Sequence, residues 1–162
     1  MSDSAIAATT NTKVSIGTTL AASDAASFAL DTYKAIGGIQ DIGDFGGESE
    51  ILSAKLIDRS AVIKRKGIRD NGDCPLVVAR DPLDLGQQAL RAAEATPFEY
   101  NIKVEFMDKP GPTGTNSIVY FRAVVVSARN NVGGASDFLR TTFNLAISGE
   151  IVPVNATVGE DD

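Results

Sequence analysis

Apolar and polar residues alternate with a period of two along much of the chain, the pattern of strands that bury one face. Over 98–106 one face carries Phe98, Tyr100, Ile102, Val104 and Phe106, and the other Glu99, Asn101, Lys103 and Glu105. The stretch 139–151 repeats the pattern, with Leu139, Thr141, Phe143, Leu145, Ile147 and Ile151 set against Arg140, Thr142, Asn144, Ser148 and Glu150. Residues 118–126 are apolar on both faces, which predicts a strand covered on two sides by its own core or by another subunit. The run 108–116 before it is rich in proline and glycine and predicts a loop between antiparallel strands. Further strands are predicted near 32–42, 50–58 and 75–80.

One segment changes period. Asp81-Pro82-Leu83-Asp84 combines an N-cap aspartate with proline at the first helical position, and Leu83, Gly86, Leu90 and Ala93 then recur at helical spacing. A helix is predicted over about 82–95, ended by Thr96-Pro97 because the residue before proline disfavours helical geometry. The fold class expected is therefore mainly β: an antiparallel β-sandwich or barrel, residues 14–152, with one flanking helix. Residues 1–13 and the acidic stretch 153–162 show no periodicity that would anchor them, and both are expected to be flexible arms.

The chain has 162 residues, enough for one ordinary core, and 43% hydrophobic against 22% charged residues, so it is expected to fold. Its formal charge of -6 argues against a protein that coats nucleic acid by neutralising phosphates. There is no histidine and a single cysteine, Cys74, which removes His-based general base chemistry, Cys/His pairs and nearly every zinc site. No apolar run is long enough to span a membrane, and no secretory signal opens the chain, so synthesis and retention in a cytosol are expected. Asp70-Asn71-Gly72-Asp73 lacks the ligand ladder of a calcium loop, and Asn-Gly there reads as a tight turn that supplies positive φ angles.

Charge is unevenly spread. Residues 41–50 hold Asp41, Asp44, Glu48 and Glu50 with no base, while 55–69 hold Lys55, Arg59, Lys64, Arg65, Lys66 and Arg69 against Asp58 alone. Either these are two solvated faces, or they are complementary surfaces that meet between copies of the chain.

Residues 67–93 read GIRDNGDCPLVVARDPLDLGQQALRAA. A turn with Asp and Gly, a short strand, an Asp-Pro-x-Asp-x-Gly-Gln helix start and an Ala/Leu helix follow in that order, and this resembles the tail tube proteins of long-tailed bacteriophages. The context agrees over about 14–152, from the opening Ile36-Gly37-Gly38-Ile39-Gln40-Asp41 to the closing Arg140-Thr141-Thr142-Phe143. The resemblance implies a homo-hexameric ring that stacks on itself into a hollow tube, a virion component assembled in the bacterial host cytoplasm. It implies no catalytic residue, no metal and no cofactor, with tape measure, tail tip and tail terminator proteins as partners. Genome DNA would pass through the lumen without specific binding. The ring-forming tube protein of a contractile type VI secretion-like system and a small β-sandwich binding module are the alternatives; the latter needs exposed aromatics, and Tyr33 alone escapes the strands.

Three groups of site residues follow as expectations. Residues 59–73 form a loop mobile in the monomer and ordered between rings, carrying Arg59, Ile63, Lys64, Arg65, Lys66 and Arg69. Asp41, Asp44, Glu48 and Glu50 form the acidic surface on which it stacks. Glu99, Glu105 and Glu150 face the lumen, where negative charge repels passing DNA weakly instead of binding it and is screened beyond about 8 Å at physiological salt.

Overall fold

A computed structural model describes residues 6–159. Strands hold 44% of the residues and helices 10%, so the mainly β class expected from the period-two pattern holds. In chain order the elements are β1 (Lys13–Ile16), α1 (Ala25–Ala29), β2 (Lys34–Ala35), β3 (Ile39–Asp41), β4 (Glu48–Ala54), β5 (Ile63–Asp70), β6 (Asp73–Ala79), α2 (Leu85–Glu94), β7 (Tyr100–Glu105), β8 (Ile118–Asn131) and β9 (Arg140–Val154). Seven strands form one antiparallel sheet in the order β2-β1-β7-β8-β9-β6-β3, and β4 and β5 form a separate two-stranded hairpin.

The sheet is curled, and the chain itself shows why. β2 and β3 occupy its two opposite edges, yet only Ile36-Gly37-Gly38 separates them. Four virtual bonds reach no further than about 14 Å, so the edges must approach one another. Backbone bonds continue the join on both sides: the Ile36 amide donates to the Val14 carbonyl at 2.9 Å, and the Ala79 amide to the Gly38 carbonyl at 2.7 Å. Gly38 has φ +70, which admits the turn without a Cβ penalty.

The inner face holds the core. Val14 and Ile16 from β1, Ile102 and Val104 from β7, Phe121, Ala123 and Val125 from β8, Phe143 and Leu145 from β9, and Cys74, Leu76 and Val78 from β6 are all buried. Ladder partners on one face include Cys74 with Leu145 and Leu76 with Phe143. Burial pushes the Cys74 thiol up to about 12. Register shifts at Tyr120/Arg122 and Val125/Ser127 let the long β8–β9 ribbon bend around this core.

Helix α2 covers the seam. Leu90 and Ala93 are fully buried, and a Cβ on Gly86 would lie 2.2 Å from the Ala35 carbonyl oxygen and 2.6 Å from the Ile36 Cα, so only glycine admits this approach. Asp84 is the N-cap: one carboxylate oxygen accepts from the Gln87 amide at 2.9 Å and from the Gly37 amide at 3.0 Å. Gln87 is fully buried and donates through Nε2 to the carbonyls of Gly37 (2.8 Å) and Ala79 (3.0 Å), while its Oε1 accepts from the Asp81 amide at 2.9 Å. The helix starts later than the sequence implies. Asp81 instead caps the preceding turn by accepting from the Leu83 amide at 3.0 Å, and Leu83, expected on the buried stripe, is 84% exposed.

The outer face of β7 and β8 is also covered. The segment from Thr18 to Tyr33, with short helix α1, lies against it: Phe28 stacks on Tyr120 at 5.3 Å between ring centroids, and Tyr33 packs against the same ring at 6.3 Å. The chain's own segment therefore covers the second apolar face of β8 at Tyr120. Tyr33 donates its hydroxyl to the Phe28 carbonyl at 2.7 Å and is no open binding platform. Of the expected arms, residues 1–5 and 160–162 lie outside the described residues. Lys13 already belongs to β1, β9 runs on to Val154, and Thr157 bridges Thr115, so residues 153–157 are held to the sheet.

Candidate assembly surface

The hairpin β4–β5 leaves the barrel beside β9, and its root is fastened by Asn71. That side chain is buried, donates Nδ2 to the Gly149 carbonyl and accepts from Arg69 Nε at 3.1 Å. A Cβ on Gly47, just before β4, would sit 2.2 Å from Asn71 Oδ1 and 2.4 Å from Arg69 Nε, so any larger residue there displaces the fastening side chains. Gly72 has φ +70 and donates its amide to Asp70 Oδ1 at 2.8 Å. The positive φ expected for the Asn-Gly pair thus falls on Gly72, and Asn71 serves as the staple.

Beyond the root both strands stand in solvent. Almost every residue of β4 and β5 is exposed, including the aliphatic Ile51, Leu52 and Ile68, the last at 81%, and Ile57 at the tip is fully exposed. A two-stranded ribbon is at best marginally stable alone, and exposed aliphatics are a feature that interaction surfaces carry.

The structure alters the expectation for residues 59–73. Ile63, Lys64, Arg65, Lys66 and Arg69 lie in β5, a paired strand and not a mobile loop, because β4 satisfies its backbone: Ser49 faces Arg69, Ile51 faces Lys66, and Leu52 faces Arg65. Arg59 remains in the loop at the tip, its amide donating to the Leu56 carbonyl at 3.3 Å. Two of the acidic residues, Glu48 and Glu50, stand on β4, next to the basic strand of the same chain. Asp41 ends β3 and Asp44 follows it. The hairpin carries no internal ion pair, since the ion pair found among the described residues is Arg122–Glu99.

The three glutamates expected to face a lumen have different surroundings. Glu99 Oε2 lies 3.2 Å from Arg122 Nη1, and its Oε1 accepts from the Ser148 hydroxyl at 2.6 Å. Glu105 stands at the other end of β7 and accepts from Asn116 at 3.2 Å, while Glu150 is exposed beyond the Gly149 bend. The polar face of β7 is not open along its length. Asn101 is fully buried beneath the Thr18–Tyr33 segment, donating to the Leu20 carbonyl (2.9 Å) and Asp31 (2.8 Å), and Lys103 Nζ sits 5.9 Å above the Tyr33 ring. Burial works to raise the Asp31 carboxyl, but hydrogen bonds from the Thr18 hydroxyl and amide, from Asn101 and from the Thr32 amide outweigh it and hold the group below the ordinary carboxylate value. Phe98, expected inward, is 59% exposed because pairing of β7 begins only at Tyr100.

Strands β1 and β5 escape a reading of the sequence. The alternation Lys13-Val14-Ser15-Ile16 is too short to register, and β5 is charged on both faces, so its only sign is an acidic run followed by a basic one at hairpin distance.

Solved structures match this curled antiparallel sheet over most of its length. The SPP1 tail tube, determined by NMR and cryo-EM, superposes with a TM-score of 0.60 at 15% identity, over 91% of this chain and 77% of that one. A chain of the anti-feeding prophage baseplate superposes with a TM-score of 0.66 at 13% identity, over 96% of this chain and 98% of that one. No protein-family model matches the chain, and a search of curated proteins finds no relative. The chain has the tail-tube fold.

Proposed function

We propose that the chain is a structural subunit of a phage-type tail tube, which associates with copies of itself into hexameric rings that stack into a hollow tube for genome passage. The observation that carries this reading is the β4–β5 hairpin: on a tail-tube fold, a ribbon with both faces in solvent and aliphatic residues along its length is suited to lie against a neighbouring subunit. The acidic Asp41, Asp44, Glu48 and Glu50 and the basic residues of β5 then meet partners on other copies, with salt weakening that part of the contact. Tape measure, tail tip and terminator proteins are the partners such a tube requires at its axis and ends. For the lumen, Glu150 is the better probe than Glu99, whose charge is already matched by Arg122.

Negative-stain microscopy and sedimentation of concentrated protein test the reading. Rings or tubes are expected, and a strictly monomeric protein at all salt concentrations refutes it. A second reading, a tube or baseplate subunit of a contractile injection particle, is supported by the near-complete mutual coverage with the anti-feeding prophage chain. Copurification with a sheath protein distinguishes it.

A further inference from the structure

The outer edge of β9 is only half used. β6 pairs with it as far as Ala146, the β5–β6 turn holds Ile147 through the Gly72 carbonyl and Gly149 through Asn71, and from there to Val154 no strand pairs on that side. Across the end of β7, β8 and β9, beside the hairpin root, lies a groove of about 620 Å3 whose apolar wall is Phe45, Phe106, Val119, Ile151 and Pro153, with Asp44 and Arg69 also lining it. Arg69, which spends its Nε on Asn71, is one of the residues lining the groove.

We infer that this groove receives the tip of the β4–β5 hairpin, residues 55–59, from a second copy of the chain. The tip supplies the matching chemistry: Leu56 and Ile57 are exposed apolar side chains, and Lys55, Asp58 and Arg59 flank them with both signs of charge. Asp58 meets Arg69, and Lys55 or Arg59 meets Asp44. The occupant is not the chain's own tip. The root of its hairpin lines the groove through Gly46, Gly47 and Arg69, and β4 carries the tip roughly 20 Å away at about 3.4 Å per residue. Tip and groove are different surfaces of one molecule, so the contact is satisfied either by two copies exchanging tips about a two-fold axis or by propagation from copy to copy that closes as a ring. The inference rests on the self-association proposed above and assigns the receptor for it.

The test uses two full-length variants at exposed positions, Ile57→Cys and Pro153→Cys, mixed at a concentration at which the unmodified protein assembles, then oxidised. Cys74 is buried and does not compete. A disulfide-linked heterodimer at least about tenfold above that in either variant alone is expected. In parallel, the tip variant Leu56→Ser/Ile57→Ser should keep its fold by circular dichroism and lose on the order of 100-fold in association, the loss for two aliphatic side chains no longer buried. Normal assembly with no heterodimer above the controls overturns the groove and leaves self-association standing. A wild-type chain that never assembles overturns both.

Discussion

Replacing Gln87 by methionine, which keeps its length and removes its polarity, tests the proposition that the barrel is held shut at the seam. The side chain is fully buried and joins three backbone groups from three segments: the Gly37 carbonyl in the β2–β3 link, the Ala79 carbonyl at the end of β6, and the Asp81 amide before α2. Each group left unpaired in a buried site costs about 1–3 kcal/mol. The Ala79 carbonyl has a second lone pair and loses least, so the sum is roughly 3–5 kcal/mol against a total stability of about 5–15 kcal/mol. For a chain of this length that corresponds to a melting temperature lower by about 6–20 °C. Urea denaturation followed by circular dichroism measures it, with Gln88→Met as the control, since that neighbour is exposed and bonds only the Pro82 carbonyl in the same turn. A loss below about 1 kcal/mol for Gln87→Met, or a loss equal to that of the control, refutes the seam as a stabilising joint.

Gly86→Ala presses a methyl group into the Ala35 carbonyl, and a destabilisation of at least about 2 kcal/mol is expected by the same denaturation assay. Gly47→Ala is expected to disturb the hairpin root while sparing the barrel, so hydrogen exchange should rise across β4 and β5 and stay unchanged in β8; faster exchange throughout argues against a local role. The Asp31 carboxyl has a lower pKa in the folded protein than its ordinary 3.8, so its stabilising contribution is complete above that value and disappears as pH falls through the folded pKa. Asp31→Asn should accordingly be less stable than wild type at pH 7, with the difference narrowing below about pH 3.8. Cys74 is buried with its thiol pushed up to about 12, so a thiol reagent at pH 8 should label it only after unfolding, and rapid labelling of the native protein contradicts its place in the core.

The hairpin changes what the charge pattern means. An acidic run followed by a basic run suggested a loop reaching toward a separate acidic surface. In the folded chain Glu48 and Glu50 stand on one strand of a ribbon and Lys64, Arg65 and Lys66 on the other, yet no ion pair forms between them. Exposed pairs of that kind gain little in water, about 0–1 kcal/mol, so both signs remain available to a neighbouring copy. The contact should therefore combine an apolar part insensitive to salt with a charged part that salt weakens.

What the sequence determined by itself is the set of faces and the motif at the seam. Alternation along 98–106 and 139–151 identified two of the three central strands, because burial on one side of a pleated strand leaves a period of two whatever the partner, and the run 118–126, apolar on both faces, identified the third. The sequence marked the helix start through Asp81-Pro82 and the Asp-Pro-x-Asp-x-Gly-Gln order, but only the structure showed that Asp84 is the cap, that Gly86 is there for the missing Cβ and that Gln87 ties the backbone at the seam. The tertiary structure alone decided where those faces point. The polar side of β7 and the second face of β8 are roofed by the Thr18–Tyr33 segment, a contact between residues as far apart as Leu20 and Asn101 that no local period encodes. It likewise decided that a strongly basic stretch is a strand, since β5 owes its conformation to the hydrogen bonds of β4 and not to any pattern of its own.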